Sequence, residues 1–315
     1  MSNNNTYLVT GGAGFIGSHI VHELVKREEE VIVVDNFFSG TRDNLEVVMN
    51  KIELVEGDIR DKELMDKLCA KSDIILHQAA LRSVPRSVDN PTATNDVNIN
   101  GTLNVLLAAR DNGIKRVVYA SSSSAYGDTP ALPKKETQRP LPISPYAVSK
   151  LTGEHYCRAF SNTFEVETVA LRYFNVFGPR QNPESKYAAV VPIFTKQALE
   201  DKPLTIHGDG KQSRDFTYVK NVVNANLLAA KAEGVSGQMF NIACNNRYSV
   251  LDIANEILKN LDKKVPFEHQ PPRAGDVRHT QADVTKAKKK LGYEVEVDFE
   301  EGMKRTVESY LKKYQ

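Results

Sequence analysis

Short runs of apolar, mostly β-branched residues recur through the first half of the chain, at residues 6–10, 31–35, 52–56, 74–77, 117–120 and 166–171. Between them, stretches such as 16–26 and 103–109 carry apolar residues at the period of a helix buried on one face. Strands that are apolar at nearly every position are covered on both sides. Their alternation with helices predicts βαβ units and a doubly wound parallel α/β sheet. Beyond Leu171 the spacing becomes irregular, punctuated by Gly178-Pro179, Gly208-Asp209-Gly210 and Pro271-Pro272. This part reads as a smaller C-terminal α/β portion over the ends of the sheet. No clean linker separates the two, so residues 1–172 and 173–315 are expected to interlock.

Composition narrows the function class. A chain of 315 residues, 41% hydrophobic and 26% charged, can bury a large core and has room for about two domains. With 41 Lys and Arg against 40 Asp and Glu, its net charge of +1 argues against a general nucleic-acid or anionic-membrane binder. The basic run Lys286-Ala287-Lys288-Lys289-Lys290 reads as a solvated helix face. Cys69, Cys157 and Cys244 lie far apart with no CxxC pair, which fits a reducing compartment and gives no sign of a metal site. There is no secretory signal and no run of about 20 apolar residues, so a cytoplasmic location is expected.

Two constellations carry chemistry. Thr10-Gly11-Gly12-Ala13-Gly14-Phe15-Ile16-Gly17 joins the first predicted strand to the first predicted helix. A glycine-rich turn at that junction lets the backbone approach a pyrophosphate, which then meets the helix N-terminal amides. Asp35 closes the second predicted strand, 18 residues beyond Gly17, where a carboxylate can hold ribose hydroxyls and repel a 2′-phosphate. NAD is therefore expected over NADP, with Gly57-Asp58-Ile59 beside the adenine. The second constellation is Ser144-Pro145-Tyr146-Ala147-Val148-Ser149-Lys150, which reads as a helix start with Ser144 as N-cap. Tyr146 and Lys150 then share a face, and an ammonium favours the phenolate of a group whose ordinary pKa is about 10. Such a pair arises by chance on many helices, but the chain has no other YxxxK, and Ser121-Ser122-Ser123-Ser124 ends a predicted strand upstream.

With these residues in hand, the chain resembles the extended short-chain dehydrogenase/reductase family, specifically its UDP-sugar 4-epimerase branch. The resemblance runs through residues 10–17, Asp58, His77-Gln78-Ala79-Ala80, Asn98-Ile99-Asn100-Gly101-Thr102, residues 121–127 and 146–150. It continues through residues 171–181, Gly208-Asp209-Gly210, Arg214-Asp215-Phe216 and Arg273-Ala274-Gly275-Asp276. It implies a Rossmann-type NAD-binding domain, with Ser122, Tyr146 and Lys150 as the catalytic groups. Gly11, Gly14, Phe15, Ile16, Gly17, Asp35, Asn36, Asp58, Ile59, Gln78, Ala79, Ala80, Asn98 and Tyr173, together with Tyr146 and Lys150, fall at cofactor positions. Arg82, Ser122, Ser123, Tyr146, Asn175, Gln181, Val190, Thr205, His207, Arg214, Arg273, Asp276 and Thr280 fall at UDP-sugar positions. A homodimer is also implied, pairing the helix after Pro91 with the helix near Ser144; Leu103, Leu106, Leu107 and Leu151 could serve that bundle or pack on their own sheet.

The resemblance favours UDP-GlcNAc and UDP-GalNAc as the sugars, with UDP-glucose and UDP-galactose as the alternative. Thr280 stands where epimerases restricted to unsubstituted hexoses often carry a tyrosine, which points to UDP-GlcNAc and UDP-GalNAc as substrates. Arg82 stands where acetyl-sugar epimerases tend to have glycine and glucose/galactose epimerases a lysine, which points instead to UDP-glucose and UDP-galactose. A 4,6-dehydratase needs an Asp-Glu pair just after the catalytic Ser/Thr, and Ser123-Ser124 stand there; a UDP-glucuronate decarboxylase is weakened by the same absence. A non-catalytic NAD sensor would be marked by loss of Tyr146 or Lys150, and both are present.

Overall fold

The computed structural model describes residues 5–184, 188–271 and 278–314. Its main sheet has strands β1 (Thr6–Thr10), β2 (Glu30–Asp35), β3 (Glu53–Glu56), β4 (Ile74–His77), β5 (Arg116–Ser122), β6 (Thr168–Tyr173) and a seventh, Gln238–Ile242. All seven are parallel, in the order Gln238–Ile242, β6, β5, β4, β1, β2, β3. Side chains alternate across the sheet and fill two cores. On one face Tyr7, Val9, Val33, Leu76 and Val118 pack with Ile20, Val21 and Leu24 of α1 (Phe15–Lys26) and with the helix Val219–Lys231. On the other, Leu8, Ile32, Ile75, Val117 and Tyr119 meet α2 (Lys62–Cys69), α5 (Gly101–Asp111) and α6 (Pro145–Thr163). Each fully buried aliphatic side chain contributes about 1.5–3 kcal/mol, so the double covering holds the sheet rigid under the site.

The strand order reverses beside β1, which lies between β2 and β4. The helices following β1 and β4 leave to opposite faces, and the carboxyl ends of these strands open a crevice. The segment over that crevice continues from β4 into α3 (Val84–Asp89) and α4 (Pro91–Asn95), then a π-helical turn, Asp96–Asn100.

The structure refines the sequence reading in several places. Strand β6 begins two residues later than expected, because Val166 belongs to the turn after α6, where its carbonyl accepts from Ser161 Oγ at 2.8 Å and Glu165 has φ 59°. The boundary at 172 falls inside β6. The main sheet then takes its last strand, Gln238–Ile242, and a covering helix, Val219–Lys231, from the second portion. The remainder of that portion packs helices Val190–Leu199, Val250–Leu261 and Phe299–Tyr314 together, beside a small parallel pair, Leu204–His207 with Phe267–Gln270. Leu103, Leu106 and Leu107 pack into the chain's own core, whereas Leu141, Ile143 and Val148 are exposed. Lys288, Lys289 and Lys290 form an exposed face, while Lys286 caps the sheet edge through the Met239 carbonyl at 2.8 Å. No helix among the described residues is long and apolar enough to cross a membrane.

Candidate active site

A cleft of about 710 Å³ runs along the crevice. One end is built by the β1–α1 turn. Gly11 has φ +68°, and a Cβ there would stand 2.8 Å from the Ala79 backbone; a Cβ on Gly17 would stand 2.2 Å from the Gly11 carbonyl oxygen. Helix α1 starts at Gly14 without any capping side chain, which leaves its first-turn N–H groups for an anion. Gly11, Gly14, Phe15, Ile16 and Gly17 all line the cleft. This cradle fits a dinucleotide pyrophosphate.

Beyond it, Asp35 accepts from Ala13 N at 2.9 Å and Phe37 N at 2.8 Å; burial pushes its pKa up and these backbone donors pull against that. The carboxylate keeps lone-pair capacity for a ribose hydroxyl. Asp58 is held low, to about 2, by Arg60, and accepts from Asn36 Nδ2 at 2.8 Å. Asp35, Asn36, Asp58 and Ile59 share the wall, and Gln78, Ala79 and Ala80 line the floor. Tyr173 O–H donates to Gln78 Oε1 at 3.2 Å, and Asn226 on the helix Val219–Lys231 bonds both. Asn226 was not signalled by the sequence, because its partners lie more than 50 residues away.

The other end gathers side chains. Ser144 caps α6 by accepting from Ala147 N at 3.2 Å, with Pro145 in the first turn, so Tyr146 and Lys150 share a face as the spacing requires. Burial raises the pKa of Tyr146, while Ser122 at the end of β5 and the Arg82 charge oppose that rise. Lys150 is drawn down to about 8 by burial, against the charges of Cys157 and Glu154. Its Nζ donates to the Ala120 carbonyl at 2.8 Å and lies 5.0 Å from the Tyr119 ring centre. One turn further along α6, Glu154 forms a buried ion pair with Arg172, at 2.7 and 2.6 Å, and accepts from Ser121 Oγ. The sequence reading missed this pair, although Glu154 continues the four-residue spacing of Tyr146 and Lys150. His77 is pushed down to about 3 by burial and the Lys150 charge, and stays a neutral bridge between Thr10 and Thr102.

Arg82, Ser123, Asn175, Gln181, Arg214 and Thr280 complete this end. Gln181 is fixed by Gly178 N at 3.3 Å and the Val176 carbonyl at 3.1 Å. Arg214 donates to the Ser213 and Arg278 carbonyls at 2.9 and 3.0 Å, and Thr280 N to the Ser213 carbonyl at 3.0 Å. Four residues expected at the site lie outside its walls. Val190 starts a helix, Thr205 Oγ1 accepts from Gln197 Nε2 at 2.9 Å, and His207 bonds the Pro271 carbonyl at 3.2 Å. Asn98 is buried beneath the cleft and grips both the N–H and the carbonyl of Leu81, because a fully buried amide needs all its partners within the protein. Arg273 and Asp276 lie outside the described residues. The lining also includes Phe38, Val84, Pro85 and Val88, which have no polar signature in the sequence. Among the described lining residues the carboxylates are Asp35 and Asp58, both at the glycine-cradle end.

Comparison with known proteins places this cleft. Residues 7–243 match the model of the NAD dependent epimerase/dehydratase family. A putative UDP-glucose 4-epimerase of Methanocaldococcus jannaschii is 39% identical over 302 residues, 95% of this chain and 96% of that protein. UDP-glucose 4-epimerase of Thermotoga maritima, solved with UDP-glucose, superposes with a TM-score of 0.94 at 39% identity, over 98% of this chain and 100% of that one. UDP-N-acetylglucosamine 4-epimerase of Methanobrevibacter ruminantium, in complex with UDP-N-acetylmuramic acid, gives 0.94 at 37%, over 98% and 99%. UDP-glucose 4-epimerase of Thermus thermophilus, in complex with NAD, gives 0.90 at 35%, over 97% and 99%.

Proposed function

The chain belongs to the NAD dependent epimerase/dehydratase family, and from that premise we propose that it inverts C4 of a UDP-hexose through a transient 4-keto sugar, with UDP-glucose and UDP-galactose as the pair. The observation that carries the reaction is the meeting of Ser122, Tyr146 and Lys150 with the glycine cradle in one cleft. NAD, the cofactor, supplies the hydride acceptor and donor for C4. Gly11, Gly14, Phe15, Ile16 and Gly17 hold its pyrophosphate, and Asp35 its ribose. Tyr146, as phenolate, takes the 4-hydroxyl proton with Ser122 relaying the hydrogen bond, and returns it once the hydride is back on the opposite face. Lys150 keeps positive charge beneath both. Arg214 and Asn175 anchor the diphosphate and uridine, leaving the sugar loose enough to turn. With Asp35 and Asp58 at the far end, the described residues offer no acid pair at the sugar to drive elimination of water, which supports epimerisation over dehydration.

Arg82 in the sugar wall and the relatives acting on UDP-glucose support the unsubstituted hexose. A second reading, UDP-GlcNAc and UDP-GalNAc, is favoured by Thr280, a small residue in the same wall. Incubating the protein separately with UDP-glucose and UDP-GlcNAc, and following the anomeric protons by NMR, decides the matter. Conversion of UDP-glucose alone supports the first reading, and conversion of UDP-GlcNAc with little UDP-galactose supports the second. If neither is converted by NAD-loaded protein, both sugar assignments fail.

The exposed apolar patch of Leu141, Ile143 and Val148 at the start of α6 supports a homodimer, with a second copy as its cover. Val148→Glu should then leave a monomer in light scattering; an unchanged mass in both proteins removes this assignment.

A further inference from the structure

Among the described residues, Glu154 and Arg172 are the one ion pair with both side chains buried. Taking two charges out of water offsets most of their attraction, so such a pair adds little net stability. What it does impose is geometry. Arg172 donates in a fork, Nε to Glu154 Oε1 at 2.7 Å and Nη2 to Oε2 at 2.6 Å. The same Oε1 accepts from Ser121 Oγ. One carboxylate on α6 therefore holds a side chain on β5 and another on β6.

Those two side chains belong to a single rung of the sheet. Ser121 pairs with Arg172 across β5 and β6, and the next rung pairs Ser122 with Tyr173, both of which line the cleft. Glu154 thus grips the sheet one residue before it delivers Ser122 to the site. The grip ends a series of ties between β5 and α6. Tyr119 O–H donates to the Lys150 carbonyl at 3.4 Å, and Lys150 Nζ donates to the Ala120 carbonyl at 2.8 Å. Residues 119, 120 and 121 are then each fastened to the helix that carries Tyr146 and Lys150.

The direction of Ser122 matters because its hydroxyl has one capacity left. Its Oγ accepts from Ser124 N at 3.2 Å and from Ser124 Oγ at 2.9 Å. With both acceptor sites filled, what remains is its own proton, which must be aimed to be useful.

We propose that Ser121 is a positioning residue: through Glu154, which Arg172 holds in place, it sets the end of β5 against α6 and so aims the Ser122 hydroxyl at the reacting sugar oxygen. This rests on Ser122 serving the epimerisation proposed above. Ser121 itself transfers no proton.

Removing Glu154 strips a buried guanidinium of its counter-charge and invites unfolding, whereas Ser121→Ala leaves the ion pair intact. Ser121→Ala should lower kcat for the accepted UDP-hexose about ten- to a hundredfold, the effect of a small misplacement of a reacting group. KM and NAD affinity should stay at the parent values. In a Ser122→Ala background the same substitution should lower kcat no further, because the group it aims is gone. A parental kcat in Ser121→Ala overturns the proposal. A fall by the same factor with and without Ser122 also overturns it, as the mark of a general packing defect. Parent protein that converts no UDP-hexose defeats the epimerase reading alone. The tether is then judged by amide hydrogen exchange over residues 120–124 of NAD-loaded protein, read by mass spectrometry. Faster exchange in Ser121→Ala than in the parent upholds it, and equal exchange overturns it.

Discussion

The two ends of the cleft are made in different ways. The cradle end is backbone: glycines whose missing Cβ atoms leave room for close approach, and helix amides that no side chain caps. The sugar end is side chain, drawn from β5, α6, the loop after β4 and three segments of the C-terminal portion. A backbone site tolerates little steric change, whatever the substituent's chemistry. A side-chain site tolerates shape change and fails when a charge or proton carrier is lost. The difference teaches which substitutions should separate binding of the cofactor from turnover of the sugar.

The largest separation is expected at Tyr146. Tyr146→Phe keeps the ring and loses the proton carrier, so kcat for the UDP-hexose should fall about a thousandfold. NAD content, measured from the absorbance of the supernatant after denaturation, should stay at the parent level. Loss of NAD together with activity would show that the two ends are not independent. Wild-type kcat would remove Tyr146 as the base.

The opposite separation is expected at Gly11. A Cβ there meets the Ala79 backbone at 2.8 Å in a φ of +68°, so Gly11→Ala strains the turn twice. Overpacking of this kind costs about 1–3 kcal/mol, hence NAD affinity should weaken by about ten- to a hundredfold in titration calorimetry. At saturating NAD, kcat should recover most of its parent value, because Tyr146, Ser122 and Lys150 stand on other elements. A kcat that stays low at saturation would mean that the cradle also aligns the reacting end.

The same contrast explains what was legible in the sequence. The β1–α1 turn, the Ser144 cap and the Tyr146–Lys150 face are local: each depends on residues within a few positions, so spacing alone suffices. Four strands in the first half, β1 to β4, also keep their expected positions to within a residue, because a doubly covered strand must be apolar throughout. What spacing cannot convey is closure over long distance. The seventh strand is a five-residue run that gains its place by pairing with β6, about 70 residues earlier in the chain. Asn98 reads equally well as a cofactor contact or as the clamp on Leu81, and only the fold distinguishes them. Thr205 and His207 stand on a strand of the small parallel pair, outside the cleft walls, which their local pattern does not reveal.

The smallest effect should come from Thr280, and it bears most directly on the sugar. Thr280 N is pinned to the Ser213 carbonyl, while its buried Oγ1 has no hydrogen-bond partner among the described residues. An unpaired buried hydroxyl is a cost unless something in the cleft completes it, so the position has little structural reason to be threonine. Thr280→Tyr replaces it with a larger side chain in the same wall and narrows the space beside the sugar. If UDP-glucose is the substrate, kcat/KM for it should change by less than about tenfold, because a hydrophobic wall discriminates weakly over small differences in fit. Any turnover of UDP-GlcNAc should fall more steeply, since the 2-acetamido group needs the room that the ring takes. The ratio of the two kcat/KM values, measured in one mixed NMR assay, is the quantity to follow. A ratio that Thr280→Tyr leaves unmoved would shift the control of the sugar to the Arg82 side of the cleft, where charge rather than volume makes the selection.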